Sequence, residues 1–155
     1  MMFQKKIMFL LLFLLSSCGY EAIHSKKNSI KYDFSISELI FNGDRNVNLK
    51  LKEELNNYTL NKKSKNFILK ISSESEKAVL AKDAAGDATS FKSSIIVNIE
   101  VMIENNFRNN LLFVESFNYN NDENKFNLKR YEKEIINNLA EITAEKLIYK
   151  LSNIQ

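Results

Sequence analysis

The chain has 155 residues with 22 basic and 19 acidic side chains, a formal net charge of +3, one cysteine, one histidine and no proline. Two of the basic residues, Lys5 and Lys6, precede an apolar run, and without them the charges nearly cancel. Charge therefore gives no indication of a nucleic-acid partner. A single cysteine also excludes a disulfide framework within the chain.

The first seventeen residues have the order of a secretory signal peptide. Lys5 and Lys6 supply the positive region, Ile7 to Leu15 is an unbroken apolar run, and Ser16 and Ser17 are small. As a helix the nine apolar residues would rise about 14 Å, well short of a bilayer core of about 30 Å. A cleaved export signal at 1–17 is therefore favoured over a membrane-spanning helix.

Leu15-Ser16-Ser17-Cys18 resembles a bacterial lipobox, in which cleavage precedes the cysteine. That resemblance implies that Cys18 carries S-diacylglycerol and N-acyl lipid, which would anchor the protein firmly to a membrane. Gly19 stands where an Asp would be an inner-membrane retention signal, so the periplasmic leaflet of the outer membrane is the expected location. Residues 18–28 then form the acylated cysteine and a polar tether, and residues 29–155 form a single periplasmic domain.

The first part of this domain predicts a strand followed by a helix. Apolar residues at Ile30, Tyr32, Phe34 and Ile36 alternate with polar ones, which is typical of a half-buried strand. Asn42-Gly43-Asp44 indicates a turn, after which Asp44 or Asn46 can cap a helix. The apolar residues of that helix recur at three- and four-residue steps: Val47, Leu51, Leu55 and Tyr58.

The middle of the domain predicts three more strands. A period of two restarts at Phe67, Leu69 and Ile71 and extends toward Val79, and Ala84-Ala85-Gly86-Asp87 then supplies a turn. The next strand has the cleanest alternation of the chain, with apolar residues at Phe91, Ile95, Val97, Ile99, Val101 and Ile103. Asparagines between 105 and 110 predict a turn, and residues 111–119 predict a fourth strand that forms a hairpin with the third.

From Leu128 to Leu151 the period is again that of a helix, with a broad apolar face. The predicted order is therefore β-α-β-β-β-α. This order indicates an α+β fold with two helices packed on one face of a four-stranded sheet. Periodicity does not determine the order of the strands in the sheet.

The chain resembles the LptE family of lipopolysaccharide-assembly lipoproteins in the order and spacing of its segments rather than in any catalytic motif. The resemblance covers nearly all residues after the signal peptide. The matching segments are Cys18-Gly19-Tyr20, Asp44-Arg45 with Leu51 and Leu55, Ala88-Thr89-Ser90-Phe91, Ser116-Phe117-Asn118-Tyr119-Asn120, and Ala140, Ala144, Leu147 and Leu151.

This resemblance implies a non-enzymatic protein that plugs the outer-membrane β-barrel LptD and helps it to assemble. The two proteins together would insert lipopolysaccharide into the outer leaflet. The plug would act by filling the lumen and contacting its polar lining. We expect these contacts on the polar rows of the third and fourth strands and on the loops at 84–89 and 105–110, with Lys92, Asn106 and Asn109 as test positions and Lys133 as the contrasting helix position.

Family members bind lipopolysaccharide through basic residues near the turn before the long strand and near the start of the last helix. The turn at 84–88 contains no basic residue, which departs from that pattern. The candidate contacts to lipid phosphates are therefore the basic residues on either side of this turn and those near the start of the last helix. They are Lys82, Lys92, Lys125, Lys129 and Arg130. For each of them the alternative is a solvated side chain on a polar face.

Catalysis and cofactor binding are not expected. His24 is the only histidine and lies in the tether, so a zinc site lacks ligands. The serine pairs at 72–73 and 93–94 have no neighbouring base, and three glycines supply no phosphate-binding loop. Other functions compatible with a lipid-anchored α+β domain are an auxiliary lipoprotein of an ABC-type lipid transporter, a secretion pilotin, and a structural envelope lipoprotein.

Overall fold

The computed structural model describes residues 32–60, 62–104 and 106–154. The predicted signal peptide, Cys18 and the tether lie outside the described residues. The elements are β1 (Phe34–Gly43), α1 (Arg45–Leu55), a 3-10 turn (Asn56–Tyr58), β2 (Lys65–Lys82), β3 (Ala88–Ile103), β4 (Asn106–Asn120) and α2 (Lys125–Ser152). The described part of the chain contains no helix both long and apolar enough to cross a membrane.

The four strands form one sheet in the order β1-β2-β3-β4. β1 and β2 are parallel, so the chain crosses over between them through α1, whereas β2, β3 and β4 form an antiparallel meander. Both helices pack on one face of the sheet, and the α+β prediction with the order β-α-β-β-β-α is therefore confirmed.

The sheet has two unequal halves. β1 pairs only with the first part of β2, from Phe34 opposite Lys65 to Gly43 opposite Ser73. We call this part, covered by both helices, the four-stranded half. Beyond Ser73 the sheet consists of β2, β3 and β4 alone, and we call it the three-stranded half. α2 starts at the far end of the three-stranded half and ends beside Lys65, whose Nζ donates to the carbonyl of Ile154 at 2.9 Å.

A single dry core fills the four-stranded half. Its strand residues alternate inward, as the period of two predicted, and the helices contribute residues at three- and four-residue spacing. The largest fully buried side chains are Phe67, Ile36, Leu51, Leu55, Leu69, Ile71, Ile95, Ile99, Leu147 and Leu151. The ring of Phe34 stacks on that of Tyr58 at 5.2 Å and closes the end of this core.

The turn between β1 and α1 requires a glycine. Gly43 has φ +93°, and a Cβ there would collide with the carbonyl oxygen of Ser73, which accepts the amide of Asp44 at 2.9 Å. Asp44 then caps α1, because its Oδ1 accepts the amides of Asn46 at 2.8 Å and Val47 at 3.0 Å. Of the two predicted caps, Asp44 is the one used.

Several predicted boundaries were wrong. β1 begins at Phe34, so Tyr32 precedes the strand in which it was predicted, and the prediction at Ile30 lies outside the described residues. The loop predicted at 105–110 is instead mostly strand: Ile103 pairs with Asn106, and β4 includes Phe107 to Asn110. Glu104 makes this tight turn possible with a left-handed φ of 51°. Likewise, Ala88 and Thr89 belong to β3 rather than to the loop.

Candidate functional site

The start of α2 is fixed to the end of the sheet by a chain of asparagine and aspartate contacts. The Nδ2 of Asn121 donates to the carbonyl of Ala88 at 2.7 Å, and the Oδ1 of Asp122 accepts the amide of Asn124 at 2.8 Å. Asn124 in turn caps α2 by accepting the amides of Phe126 and Asn127, both at 3.1 Å. These contacts place the first turns of α2 beside the end of β4.

An open groove of about 1130 Å³ lies between the end of β4 and these first turns of α2. Its walls include half-exposed apolar side chains, among them Leu80, Phe117 and Tyr131. Its charged groups are one guanidinium and three carboxylates: Arg130, Asp122, Glu123 and Glu134. This balance of charge does not favour a multiply charged anion inside the groove itself.

Beneath the groove, a polar network joins α2 to the three-stranded half. The carboxylate of Glu132 forms an ion pair with Lys77 of β2 and accepts the hydroxyl of Tyr119 at 2.9 Å. The Oγ of Ser93 donates to the same hydroxyl at 3.4 Å. Lys77 also lies over the ring of Phe91, 3.9 Å from its centroid, which is cation–π geometry.

Burial raises the pKa of Tyr119 above its ordinary value, and the hydrogen bond from Ser93 offsets this only in part. The hydrogen bond to Glu132 and its charge raise the pKa further. Tyr119 is therefore a neutral hydroxyl at physiological pH, which acts as a structural donor and not as a base.

A smaller polar cleft of about 350 Å³ lies on the other side of this network, between the starts of the two helices. Its helix-facing charged side chains are Lys77, Lys129, Lys133 and Glu132. Glu76 also borders the cleft, but its register opposite Ser94 places its side chain on the outer face of the sheet. One of these lysines is neutralised by the ion pair with Glu132, so the cleft presents its remaining basic charge at Lys129 and Lys133.

The five candidate phosphate contacts do not converge on one point. Lys82 and Lys125 both lie at the end of the three-stranded half, where the Nζ of Lys125 donates to Asn121 Oδ1 at 3.0 Å and to the carbonyl of Asp122 at 3.1 Å. Lys92 lies on the outer face of β3, opposite Asn118 and away from the helices. Lys129 lines the small cleft and Arg130 lines the large groove.

Sequence analysis missed Lys77 and Glu132, which are 55 residues apart. One signal was available: Lys77 shares the face of β2 that carries Phe67, Leu69 and Ile71, so a charge occurs there in a core-facing register. Pairing with a helix residue that distant could not be deduced from periodicity. Among the described residues, no group of three or more His, Cys, Asp or Glu side chains could hold a metal ion.

Neither a comparison with protein-family models nor one with curated protein sequences finds a match to this chain. Solved structures do match. Rare lipoprotein B from Shewanella oneidensis has a TM-score of 0.58 at 10% identity, covering 74% of this chain and 93% of that one. A minor lipoprotein from Acinetobacter baumannii has a TM-score of 0.59 at 13% identity, covering 79% and 92%. At these identities the comparison establishes a shared fold.

Proposed function

We propose that this chain is an outer-membrane lipoprotein, anchored through lipid on Cys18, whose domain plugs an LptD-type β-barrel and helps it to assemble. The observation that carries the proposal is the coincidence of a lipobox at Leu15 to Cys18 with a domain whose fold is shared with rare lipoprotein B. The same fold occurs in the minor lipoprotein from Acinetobacter baumannii. The protein would act without making or breaking a bond.

The length of the described domain is compatible with this role. β1 begins opposite Lys65, at the end of the sheet where α2 finishes. α2 has 28 residues and runs about 42 Å from the other end. The domain therefore has a long axis, with the four-stranded half at one end and the three-stranded half at the other.

The outer face of the sheet supplies polar surface for contact with a polar barrel interior. Cross-strand rows on this face contain Lys70 beside Glu100, Ser72 beside Asn98, and Glu76 beside Ser94. Lys92 lies between Ala78 and Asn118 in an outer-face row of the three-stranded half. Such side chains can exchange hydrogen bonds with the polar lining of a barrel.

Contact with lipopolysaccharide is a separate part of the proposal. The small cleft favours Lys129, since Lys133 adds a second basic group there, whereas Arg130 faces three carboxylates in the large groove. Lys82 and Lys125 would meet phosphates only at the far end of the domain, and Lys92 only on its outer face. Basic side chains in these positions pair with phosphate oxygens by charge-assisted hydrogen bonds.

Photo-crosslinking in intact envelopes tests the plug proposal. A photoreactive residue replaces Lys92 on the outer sheet face or, as a matched control, Lys133 on α2 of the full lipidated chain. We expect Lys92, on the outer sheet face opposite Asn118, to trap a large β-barrel protein. Asn106 and Asn109 are exposed on β4 but lie opposite Ile103 and Val101, in the helix-facing register, and they test whether the barrel also contacts this end of the hairpin. Mass spectrometry of the adduct identifies the partner.

Trapping from Lys133 alone would contradict the proposed contact surface. Co-purification with inner-membrane permease subunits after mild detergent extraction would contradict the barrel assignment and favour an auxiliary transporter lipoprotein. Recovery with a secretion channel would favour a pilotin.

A further inference from the structure

Two large apolar side chains are exposed at one end of the sheet, where β1 and β2 begin and β3 turns into β4. We call this the four-stranded end. Phe107, just after the β3–β4 turn, is 63% exposed, and Leu60, in the loop before β2, is 68% exposed. Phe107 also continues a row of half-buried apolar side chains, Met102 and Ile68, across the outer face. Such a patch marks a contact outside the chain when the charges around it agree.

The loop before β2 is fixed to the start of β1. The backbone amide of Lys63 donates to the Oγ of buried Ser35 at 2.9 Å, and the Oγ of Ser64 donates to the Oδ2 of Asp33 at 3.2 Å. These hydrogen bonds hold two exposed neighbours, Lys62 and Lys63, at the four-stranded end. Lysines beside exposed apolar side chains are typical of surfaces at the level of lipid headgroups, where the lysine stem lies along apolar groups and the ammonium reaches water and phosphate.

The two ends of the domain differ in charge. The segments that meet at the four-stranded end, 32–38, 62–68 and 102–108, contain four basic and three acidic side chains. The basic ones are Lys62, Lys63, Lys65 and Arg108. The turns at the three-stranded end, 82–88 and 120–126, contain two basic and four acidic side chains. An anionic surface is therefore attracted to the four-stranded end and repelled by the three-stranded end.

The chain before the described residues determines which anionic surface lies close to the four-stranded end. The described residues begin at Tyr32, two positions before β1, and residues 19–31 link Tyr32 covalently to Cys18, the proposed anchor. These thirteen residues span at most about 45 Å, and a random coil of this length has a mean end-to-end distance of about 20 Å. Lipid headgroups are therefore held at a high local concentration, so even a weak contact is populated. The same residues contain three lysines and one glutamate, which adds positive charge.

We propose that the four-stranded end rests on the anionic phospholipid surface that holds the anchor. Phe107 and Leu60 enter the headgroup region, and the basic side chains around them pair with lipid phosphates. This inference rests on the lipid anchor in the proposed function. It does not use the barrel contact, which is proposed for the outer face around Lys92 in the three-stranded half, so one copy of the chain can make both contacts.

Tryptophan fluorescence tests the contact, because the chain contains no tryptophan. The full lipidated chain carries Phe107→Trp or, as the matched control, Phe126→Trp, a position 76% exposed in the first turn of α2 at the three-stranded end. Each variant is reconstituted into vesicles of phosphatidylethanolamine and phosphatidylglycerol with brominated acyl chains. We expect the emission of Phe107→Trp to shift to shorter wavelength and to fall about twofold or more, because interfacial side chains lie about 5 to 10 Å into the boundary between headgroups and acyl chains. Phe126→Trp should show neither change.

Two further measurements sharpen the test. Leu60→Trp should be quenched like Phe107→Trp, since Leu60 is exposed at the same end. Phosphatidylcholine in place of phosphatidylglycerol should weaken the quenching of both variants, because the basic side chains then lose the attraction of a net negative surface. Quenching that persists fully in these neutral vesicles would overturn the proposed role of anionic lipid.

Flotation of the vesicles on a density gradient separates failure of the anchor from failure of the contact. A chain that does not float with the vesicles lacks the anchor, which overturns this proposal together with the proposed anchor at Cys18. A chain that floats while Phe107→Trp is quenched no more than Phe126→Trp keeps its anchor, and this result overturns the surface contact alone.

Discussion

The two halves of the sheet are held to the helices by different interactions. In the four-stranded half, both helices cover four strands and the interface is dry and apolar, with Leu51, Leu55, Leu147 and Leu151 fully buried. In the three-stranded half, α2 alone covers three strands, and β2 is exposed from Glu74 to Lys82. A single helix cannot bury a sheet of this width, and a polar network takes over part of the packing.

That network joins positions that alternation alone would make apolar. Lys77 and Ser93 lie directly opposite each other on the helix-facing side, and Tyr119 reaches the same point from β4. Buried polar groups of this kind stabilise only when each one has its partner, and the described residues contain no buried side-chain polar atom without one. In the four-stranded half we therefore expect that shortening a buried side chain lowers the free energy of unfolding strongly. In the three-stranded half we expect smaller decreases, which depend on whether the partner side chain is present.

The largest effect is expected from Ile99→Ala in the four-stranded half. Ile99 is 0% exposed between its neighbours on β2 and β4, so truncation leaves a cavity and should lower the free energy of unfolding by about 2 to 5 kcal/mol. Leu139→Ala, at a buried α2 position, should fall in the same range. Urea denaturation of the full chain measures both.

Ile40→Ala makes the same chemical change on the outer face, where solvent already reaches the side chain, and should cost well under half as much. If Ile99→Ala and Ile40→Ala lowered the free energy of unfolding by similar amounts, Ile99 would not lie in a closely packed apolar core.

The periodicity of the sequence predicted the strands and helices of the four-stranded half well, for a physical reason. Where one face of a strand or helix is fully buried, apolar residues must recur with the period of the element, as Phe67, Leu69 and Ile71 do. Periodicity predicts the ends of strands less well. β4 continues through Asn109 and Asn110, polar residues that indicate turns, because backbone pairing with β3 outweighs their local preference.

The candidate site could be predicted only in part. The sequence showed basic residues near the start of α2. It did not show that Lys129 lines the small cleft and Arg130 the large groove, because this separation depends on the 100° rotation between successive helix residues and on which strands pack against each side of α2. The position of Phe107 and Leu60 at the same end of the domain depended on the strand order, which periodicity does not contain. The network around Glu132 depended on contacts between distant parts of the chain.

An intermediate effect is expected at Asp44, which lies where the two halves join. Burial alone would raise the pKa of Asp44, but hydrogen bonds from Ser75, at 2.6 Å, and from the amides of Val47 and Asn46 outweigh it and lower the pKa. Asp44→Ala removes the helix cap and should cost about 0.5 to 2 kcal/mol, measured by urea denaturation at neutral pH.

The sign of the pH dependence follows from the lowered pKa. Since the folded chain holds Asp44 ionised more strongly than the unfolded chain does, its contribution is complete at neutral pH and is lost as the pH falls below about 4. Asp44→Asn keeps a capping oxygen but cannot titrate, and its stability should fall less over this range. Parallel acid profiles for the two proteins would contradict this role for Asp44.

The smallest effect is expected from Tyr119→Phe in the three-stranded half. This variant tests whether Tyr119 and Ser93 stabilise the fold together or independently. The substitution removes a donor to Glu132 and an acceptor for Ser93, which is 4% exposed, and it should cost about 0.5 to 1.5 kcal/mol. Ser93→Ala in the same chain removes the hydroxyl that was left unpaired, so the double variant should be no less stable than Tyr119→Phe alone. A double-mutant cycle by urea denaturation measures this coupling. Strictly additive losses would show that Ser93 and Tyr119 act independently.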